Sequence, residues 1–378
     1  MNKKLPAIPP SIFSVMSKMA ANYNAINLSQ GFPNFKSDPQ LIKLVSKAMM
    51  AGHNQYAPMA GDVQLREVIC NKMERLYRAK YVPATDIVIT AGATQAIFTA
   101  IAATISKGDE VIIFTPAYDC YLPTVALFGG NVIALQLQAP HYTPDWEEVK
   151  RVITTKTRMI IINSPHNPSG MLFSESDMEQ LQEISEVHDL IVISDEVYEH
   201  IIFDDEIHQS VARFPDLAKR SFITASFGKT FHNTGWKMGY CLGPQELMDE
   251  FKKVHQYNVF CVNHPFQKGL ATYLQDEKTY LGLGAFYQQK RDFFLDAIRD
   301  SRFKFIPSKG TYFQLLDFSE ISQESDIVFT EMLTKKHGLA TIPISVFNKD
   351  KLDKKQLRVC FAKTEETLQA AANILNSL

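Results

Sequence analysis

The chain has 378 residues, 46% hydrophobic and 21% charged, enough apolar material for a large buried core. Lys and Arg number 39 against 41 Asp and Glu, so no basic excess exists to drive binding to nucleic acid or an anionic membrane. The five cysteines, Cys70, Cys120, Cys241, Cys261 and Cys360, are odd in number and scattered, which argues against a disulfide framework or zinc ribbon and for a reducing cytoplasm.

The N-terminus reads MNKKLPAIPPS, with prolines where a signal peptide needs an apolar segment, and no run approaches the ~18 apolar residues of a membrane span. Strands are expected at Asp86–Thr90, Glu110–Phe114, Val132–Leu137, Met159–Asn163, Leu190–Ser194, Ser221–Ser226 and Lys237–Leu242. These runs are β-branched and almost continuously apolar, the signature of strands covered on both faces. Helical patterns lie between several of them. One starts at Ser174-Glu-Ser-Asp177, a capping sequence followed by Met178, Leu181, Ile184 and Val187 at helical spacing. Strand–helix–strand order predicts an α/β domain with a mostly parallel sheet. After about residue 275 the pattern changes to α+β. A helix is expected over Tyr287–Ile298, short strands at Phe303–Ile306, Tyr312–Leu316 and Leu357–Phe361, and a helix over Glu365–Leu378.

Parallel α/β sheets bind ligands beyond the carboxyl ends of their strands. Three such ends carry unusual residues: Met159–Asn163 runs into Ser-Pro-His-Asn-Pro-Ser-Gly, Leu190–Ser194 into Asp195-Glu-Val-Tyr198, and Ser221–Ala225 into Ser226-Phe-Gly-Lys229. Each alone reads as a turn with solvated polar residues. Together they set an amide, a carboxylate, a phenol, a hydroxyl and an amine around one crevice. Pyridoxal 5′-phosphate needs that set. Its aldehyde wants a lysine amine, its ring nitrogen a buried carboxylate, its phosphate the amides of a helix N-terminus with hydroxyls and a cation, and its ring oxygen donors such as Asn and Tyr.

Over nearly its whole length the chain resembles the fold-type I, class I/II aminotransferases, and within them the kynurenine/glutamine transaminase group and bacterial methionine aminotransferases. The resemblance rests on LSQGFPNF (Leu28–Phe35), NQYAPMAG (Asn54–Gly61), AGATQA (Ala91–Ala96), NSPHNPSG, ISDEVYEH, SFGKTFHNTGWKMGYC and LRVCFAK. It implies the aspartate-aminotransferase-like fold. Residues 1–38 would be an N-terminal arm and part of the small domain, 39–275 the large cofactor-binding domain, and 276–378 the small C-terminal domain. It also implies a homodimer with active sites at the interface, and a ping-pong transfer from an amino acid to a 2-oxo acid.

Residue by residue, the resemblance makes Lys229 the lysine that forms an imine with the cofactor and later shuttles the substrate proton. Asp195 becomes the partner of the ring nitrogen, Asn167 and Tyr198 the donors to the ring oxygen, and Tyr118 the stacking aromatic. Ala93, Thr94, Ser226 and Lys237 become the phosphate site. Many relatives carry arginine where this chain has Lys237, and lysine keeps the charge but not the bidentate geometry. Tyr56 resembles the tyrosine that reaches the phosphate from the other subunit. Arg358 resembles the arginine that grips the substrate α-carboxylate, with Gly31 as a backbone contact. Phe13, Phe32, Tyr56, Tyr118, Phe260 and Phe347 are candidates for an aromatic pocket. Methionine is the favoured donor, with aromatic amino acids, glutamine, histidine and kynurenine beside it. No second arginine for a dicarboxylate is evident, although Arg66, Arg213 and Arg291 remain open.

Other readings lose on spacing. Gly228-Lys-Thr230 ends like a P-loop, but Ile223 stands where the upstream glycine belongs. No metal-ligand spacing of histidines and no G-x-S-x-G occurs. The surviving alternatives are a carbon–sulfur β-lyase on the same fold and a non-enzymatic binding protein.

Overall fold

The computed structural model describes residues 4–5 and 8–378. Its strands in chain order are β1 (Ile26–Asn27), β2 (Ile87–Thr90), β3 (Glu110–Thr115), β4 (Asn131–Gln136), β5 (Thr157–Asn163), β6 (Ile191–Asp195), β7 (Ser221–Ser226), β8 (Gly239–Leu242), β9 (Phe313–Asp317), β10 (Leu339–Ala340), β11 (Ile342–Pro343) and β12 (Gln356–Cys360). Seven of them form one sheet in the order β2-β8-β7-β6-β5-β3-β4. All neighbours are parallel except β8, which runs antiparallel to both β2 and β7.

The continuous apolar runs have the cause expected of them. Alternate residues of each strand feed two separate cores. Ile112, Ile160, Ile162, Val192 and Ile223 enter the larger one, while Val111, Ile113, Ile161, Ile193 and Phe222 enter the other. The helix Glu175–Val187 starts with a complete capping box between Ser174 and Asp177. Met178, Leu181 and Ile184 of that helix are buried, but Val187, its last residue, is exposed.

A smaller antiparallel sheet, β11-β12-β9, carries the C-terminal part of the chain. The strand expected at Phe303–Ile306 does not form. Only Lys304 makes a bridge, to Asp317, and Pro307, which has no amide hydrogen, cannot extend it. The helix expected from Tyr287 begins earlier, at Leu283. β1 lies parallel to β10, with Ile26 opposite Leu339, so residues near the N-terminus pair with the C-terminal part. No described helix is long and apolar enough to cross a membrane.

Candidate active site

A cavity of about 250 Å³ opens where β5, β6 and β7 end, walled also by the N-terminal segment, β9 and β12. Asp195 is the last residue of β6. Asn163 ends β5 directly beside it and donates from Nδ2 to the Asp195 backbone oxygen at 2.8 Å. The side chain is buried. Tyr121 donates to its Oδ2 at 2.5 Å, and the Val197 amide lies 3.4 Å from Oδ1. Burial pushes the carboxyl up to about 6, against the pull of the Tyr121 bond. It is still mostly ionised at neutral pH.

Lys229 stands on the one-turn helix Phe227–Thr230 that follows β7. Its Nζ donates to the Gly31 carbonyl at 3.0 Å and lies 5.9 and 5.7 Å from the ring centres of Tyr198 and Tyr312. Burial pushes the amine down to about 8, and the nearby cations Arg358 and Lys237 push the same way. Gly31 is required where it stands, because a Cβ there would meet Phe313 Cζ at 2.7 Å. Its carbonyl also accepts from the Tyr312 hydroxyl at 2.7 Å.

Arg358 is held at the centre of the small sheet, opposite Leu315 of β9 and Ile342 of β11. It is 1% exposed. Nη1 donates to Asn167 Oδ1 at 2.7 Å, Nη2 donates to the Ser29 carbonyl at 3.0 Å, and the guanidinium carbon sits 3.8 Å from the Phe313 ring centre. Nε has no partner, and among the described residues no carboxylate lies within ion-pair distance. A buried cation of this kind is unfavourable until an anion completes it.

The other end of the cavity is built by close backbone approach. The helix Gly92–Thr104 follows β2 with Ala91 at its N-cap, so no side chain caps its first amides. Ala93 and Thr94 of that first turn line the cavity, with Ser226 at the end of β7 and Lys237 before β8. A Cβ on Gly239 would meet the Ala225 oxygen at 2.5 Å and Gly92 Cα at 3.0 Å. Only glycine lets β8 run this close to the helix start.

The cavity therefore gathers Lys229, Asp195, Tyr198, Asn167, Ala93, Thr94, Tyr118, Ser226, Lys237, Gly31, Arg358 and Phe13. Its lining carries three cations, Lys229, Lys237 and Arg358, against the single carboxylate Asp195. Phe13 enters from the helix Ile12–Asn22, with its ring 6.4 Å from that of Tyr118. Phe347 packs on Phe13 at 5.8 Å, outside the lining. Phe32 is exposed beneath Lys363. Tyr56, 82% exposed, and Phe260 pack against each other at 5.5 Å and do not enter this chain's cavity. Arg66 donates to the Gly61 and Pro83 carbonyls, Arg291 pairs with Asp204, and neither they nor Arg213 line the cavity. Tyr121, Asn163, Gln30, Tyr312 and Phe313 belong to the site or its support without having been singled out in the sequence. Tyr121, three residues after Tyr118, had the nearest thing to a signal.

The chain matches the aminotransferase class I and II family over residues 23–375. It is 47% identical to the methionine aminotransferase of Escherichia coli, over 99% of this chain and 97% of that protein. The chain belongs to the class I and II aminotransferases. It is also 32% identical to a kynurenine–oxoglutarate transaminase of Dictyostelium discoideum, over 100% of this chain and 96% of that one. An Escherichia coli crystal structure identified with a methionine aminotransferase function superposes with a TM-score of 0.98 at 46% identity, covering 100% and 99% of the two chains. The N-succinyldiaminopimelate aminotransferase of Mycobacterium tuberculosis gives 0.95 at 33% identity, covering 100% and 99%.

This aminotransferase uses pyridoxal 5′-phosphate, as its family does, and the cavity fits the group. Uncapped helix amides with Lys237 and Ser226 suit a phosphate. A free amine and a buried carboxylate share the same space. The unpartnered Arg358 Nε suits a second anion.

Proposed function

We propose that this transaminase takes methionine as its main amino donor, with aromatic amino acids, glutamine, histidine and kynurenine as further donors, and passes the amino group to a 2-oxo acid. One observation carries the reading. The cavity is lined by a single arginine, assigned on this reading to the α-carboxylate, and its remaining wall near Phe13, Tyr118 and Phe313 is aromatic. A donor with one carboxylate and an apolar side chain suits that lining, and a dicarboxylate finds no second guanidinium. The named activity of the Escherichia coli relative supports the same choice.

When bound, pyridoxal 5′-phosphate supplies an aldehyde that receives the amino group and a protonated ring that draws electrons away from the substrate Cα. Lys229 Nζ would hold the aldehyde and, once released, would take the substrate Cα proton and return it. In the empty cavity a value of about 8 leaves roughly a tenth of the amine neutral at pH 7, some hundreds of times more than an ordinary lysine. Asp195 keeps a proton on the ring nitrogen. Asn167 has its Oδ1 occupied by Arg358, so its amide hydrogens remain for the ring oxygen, beside the Tyr198 hydroxyl. Burial holds Tyr198 protonated, well above the usual phenol range. The amides of Ala93 and Thr94, Ser226 and Lys237 hold the phosphate. Arg358 and Gly31 orient the α-carboxylate, while Phe13 and Tyr118 exclude water from the side-chain end.

The exposure of Tyr56 and Phe260 supports a homodimer in which Tyr56 serves the partner's phosphate site. The pairing of β1 with β10 supports counting residues 1–38 as an arm and part of the small domain (276–378), beside a large domain of 39–275. Five unpaired cysteines suit a reducing cytoplasm. The deciding experiment is a rapid-mixing half-reaction series over methionine, phenylalanine, glutamine, histidine, kynurenine and aspartate. Methionine should convert the cofactor absorbance fastest. A clear preference for aspartate would overturn the substrate assignment.

A further inference from the structure

Asp195 needs help to do its work. It is 4% exposed, and burial alone favours its neutral form, which cannot stabilise a protonated ring nitrogen. One side chain opposes this at close range. Tyr121, on the first turn of the helix Tyr121–Leu127 that follows β3, places its hydroxyl 2.5 Å from Asp195 Oδ2. The two residues are 74 positions apart in the chain. Tyr121 is 2% exposed and does not line the cavity, so it reaches the carboxylate from behind. Burial and the Asp195 charge hold its phenol well above the usual range, so it stays an O–H donor throughout the working pH. Oδ1, with only the long Val197 contact, is left free for a ligand. The Tyr121 ring also stands edge-on to the Tyr118 ring at 5.9 Å, which supports the wall of the cavity.

We propose that Tyr121 is a positioning residue that holds Asp195 ionised and keeps its second oxygen available to the ring nitrogen of the cofactor. The inference rests on the reading of Asp195 given above. The hydroxyl anchors one carboxylate oxygen, which limits rotation, and its charge-assisted bond stabilises the anion against the neutral acid. The other titratable groups close enough to act on Asp195 are Lys229 and Glu196, with Tyr118, Cys120 and Tyr198 around them. None of these is hydrogen-bonded to its carboxylate. Loss of the hydroxyl should therefore raise the pH at which Asp195 takes up a proton by about one unit or more.

The test measures apoenzyme affinity for pyridoxal 5′-phosphate and for an analogue with carbon in place of the ring nitrogen, across pH 5.5–8.5. Wild type, Tyr121→Phe and Asp195→Asn are compared. Tyr121→Phe should bind pyridoxal 5′-phosphate about 10-fold more weakly at neutral pH, keep its affinity for the analogue within about 2-fold, and lose cofactor at a pH about one unit higher on acidification. Equal weakening toward both compounds, or no weakening, overturns the inference, since a purely structural tyrosine would not distinguish them. Asp195→Asn separates the two layers of argument. If it leaves the ratio of affinities unchanged, the reading of Asp195 itself fails. If it abolishes the ratio while Tyr121→Phe does not, only the role of Tyr121 fails. Should Tyr121→Phe not fold, Tyr121→His, which keeps a ring and an N–H donor, must retain the wild-type preference for the nitrogen-bearing ring, and loss of that preference counts against the inference.

Discussion

Arg358→Lys keeps the positive charge of the proposed carboxylate site and removes its geometry. Arginine offers five N–H donors in a rigid fork. Two are engaged, by Asn167 Oδ1 and the Ser29 carbonyl, and Nε has no partner, so a carboxylate can be met by donors already held in place. The lysine nitrogen has three donors on one atom and a shorter reach. It cannot serve Asn167, Ser29 and both oxygens of a substrate together. Losing one charge-assisted bond to the carboxylate is worth about 1.5–3 kcal/mol, or roughly 10- to 150-fold in kcat/KM. The assay is the stopped-flow half-reaction with methionine and with methylthiopropylamine, the same amine without its carboxylate. The variant should be slower with methionine by that factor and nearly unchanged with the amine. Equal losses on both donors would show that Arg358 acts through the fold, and the carboxylate assignment would fall.

Gly31→Ala places a Cβ 2.7 Å from Phe313 Cζ and must shift the carbonyl that accepts from Lys229 and Tyr312, so kcat/KM should fall at least 10-fold while circular dichroism stays native. Lys229→Ala should give protein without the absorbance of lysine-bound cofactor, and a normal half-reaction in that variant would remove Lys229 from the mechanism. Because the folded Lys229 is pushed down to about 8, the unfolded chain binds more protons between pH 8 and the ordinary lysine range. Wild-type apoenzyme should accordingly gain up to about 2 kcal/mol over Lys229→Met as pH rises from 7 to 9.5, read from denaturant midpoints, and a gain in the opposite direction would contradict the burial argument. Burial alone would raise Glu199, but the Lys72 ammonium at 2.6 Å, together with His200 and His208, holds the carboxyl well below its usual range. Glu199→Gln leaves Lys72 buried without its counter-charge and should destabilise the apo fold by about 3–5 kcal/mol in urea unfolding, and a loss under 1 kcal/mol would deny the pair its structural weight.

The large sheet was legible because its strands are covered twice. A residue such as Ile161 and its neighbour Ile162 feed different cores, so the run stays apolar without alternation and marks its own ends by the first polar residue. Those ends are where Asp195 and Ser226 stand, so that part of the site was legible for the same reason. The parts that were not legible depend on partners far away in the chain. β1, β10 and β11 are two residues each, too short for any period to register. Tyr121 meets Asp195, and Arg358 meets Asn167 across 191 positions, through side chains whose local sequence says nothing of the encounter. Aromatic character misled in the same way. Phe13 lines the cavity, Phe347 stands one layer behind it and Phe260 packs on Tyr56 at the surface, and only tertiary position tells them apart.

The imbalance of charge in the cavity links binding to chemistry. Lys237 and Arg358 both depress the proton affinity of Lys229, and neither has an acid partner among the described residues. On the proposed assignment, a phosphate at Lys237 and a carboxylate at Arg358 would neutralise those two pushes. On that assignment the released amine would be a stronger base in the filled site than in the empty one. Asp195 changes in the opposite sense, since a protonated ring nitrogen beside it favours its charged form. The two groups whose values burial has drawn toward neutrality, about 8 and about 6, are thus moved apart again by the ligands themselves. On the proposed roles, a site that is electrostatically unfavourable when empty would become a base and an ion pair when filled, driven by binding rather than by the fold.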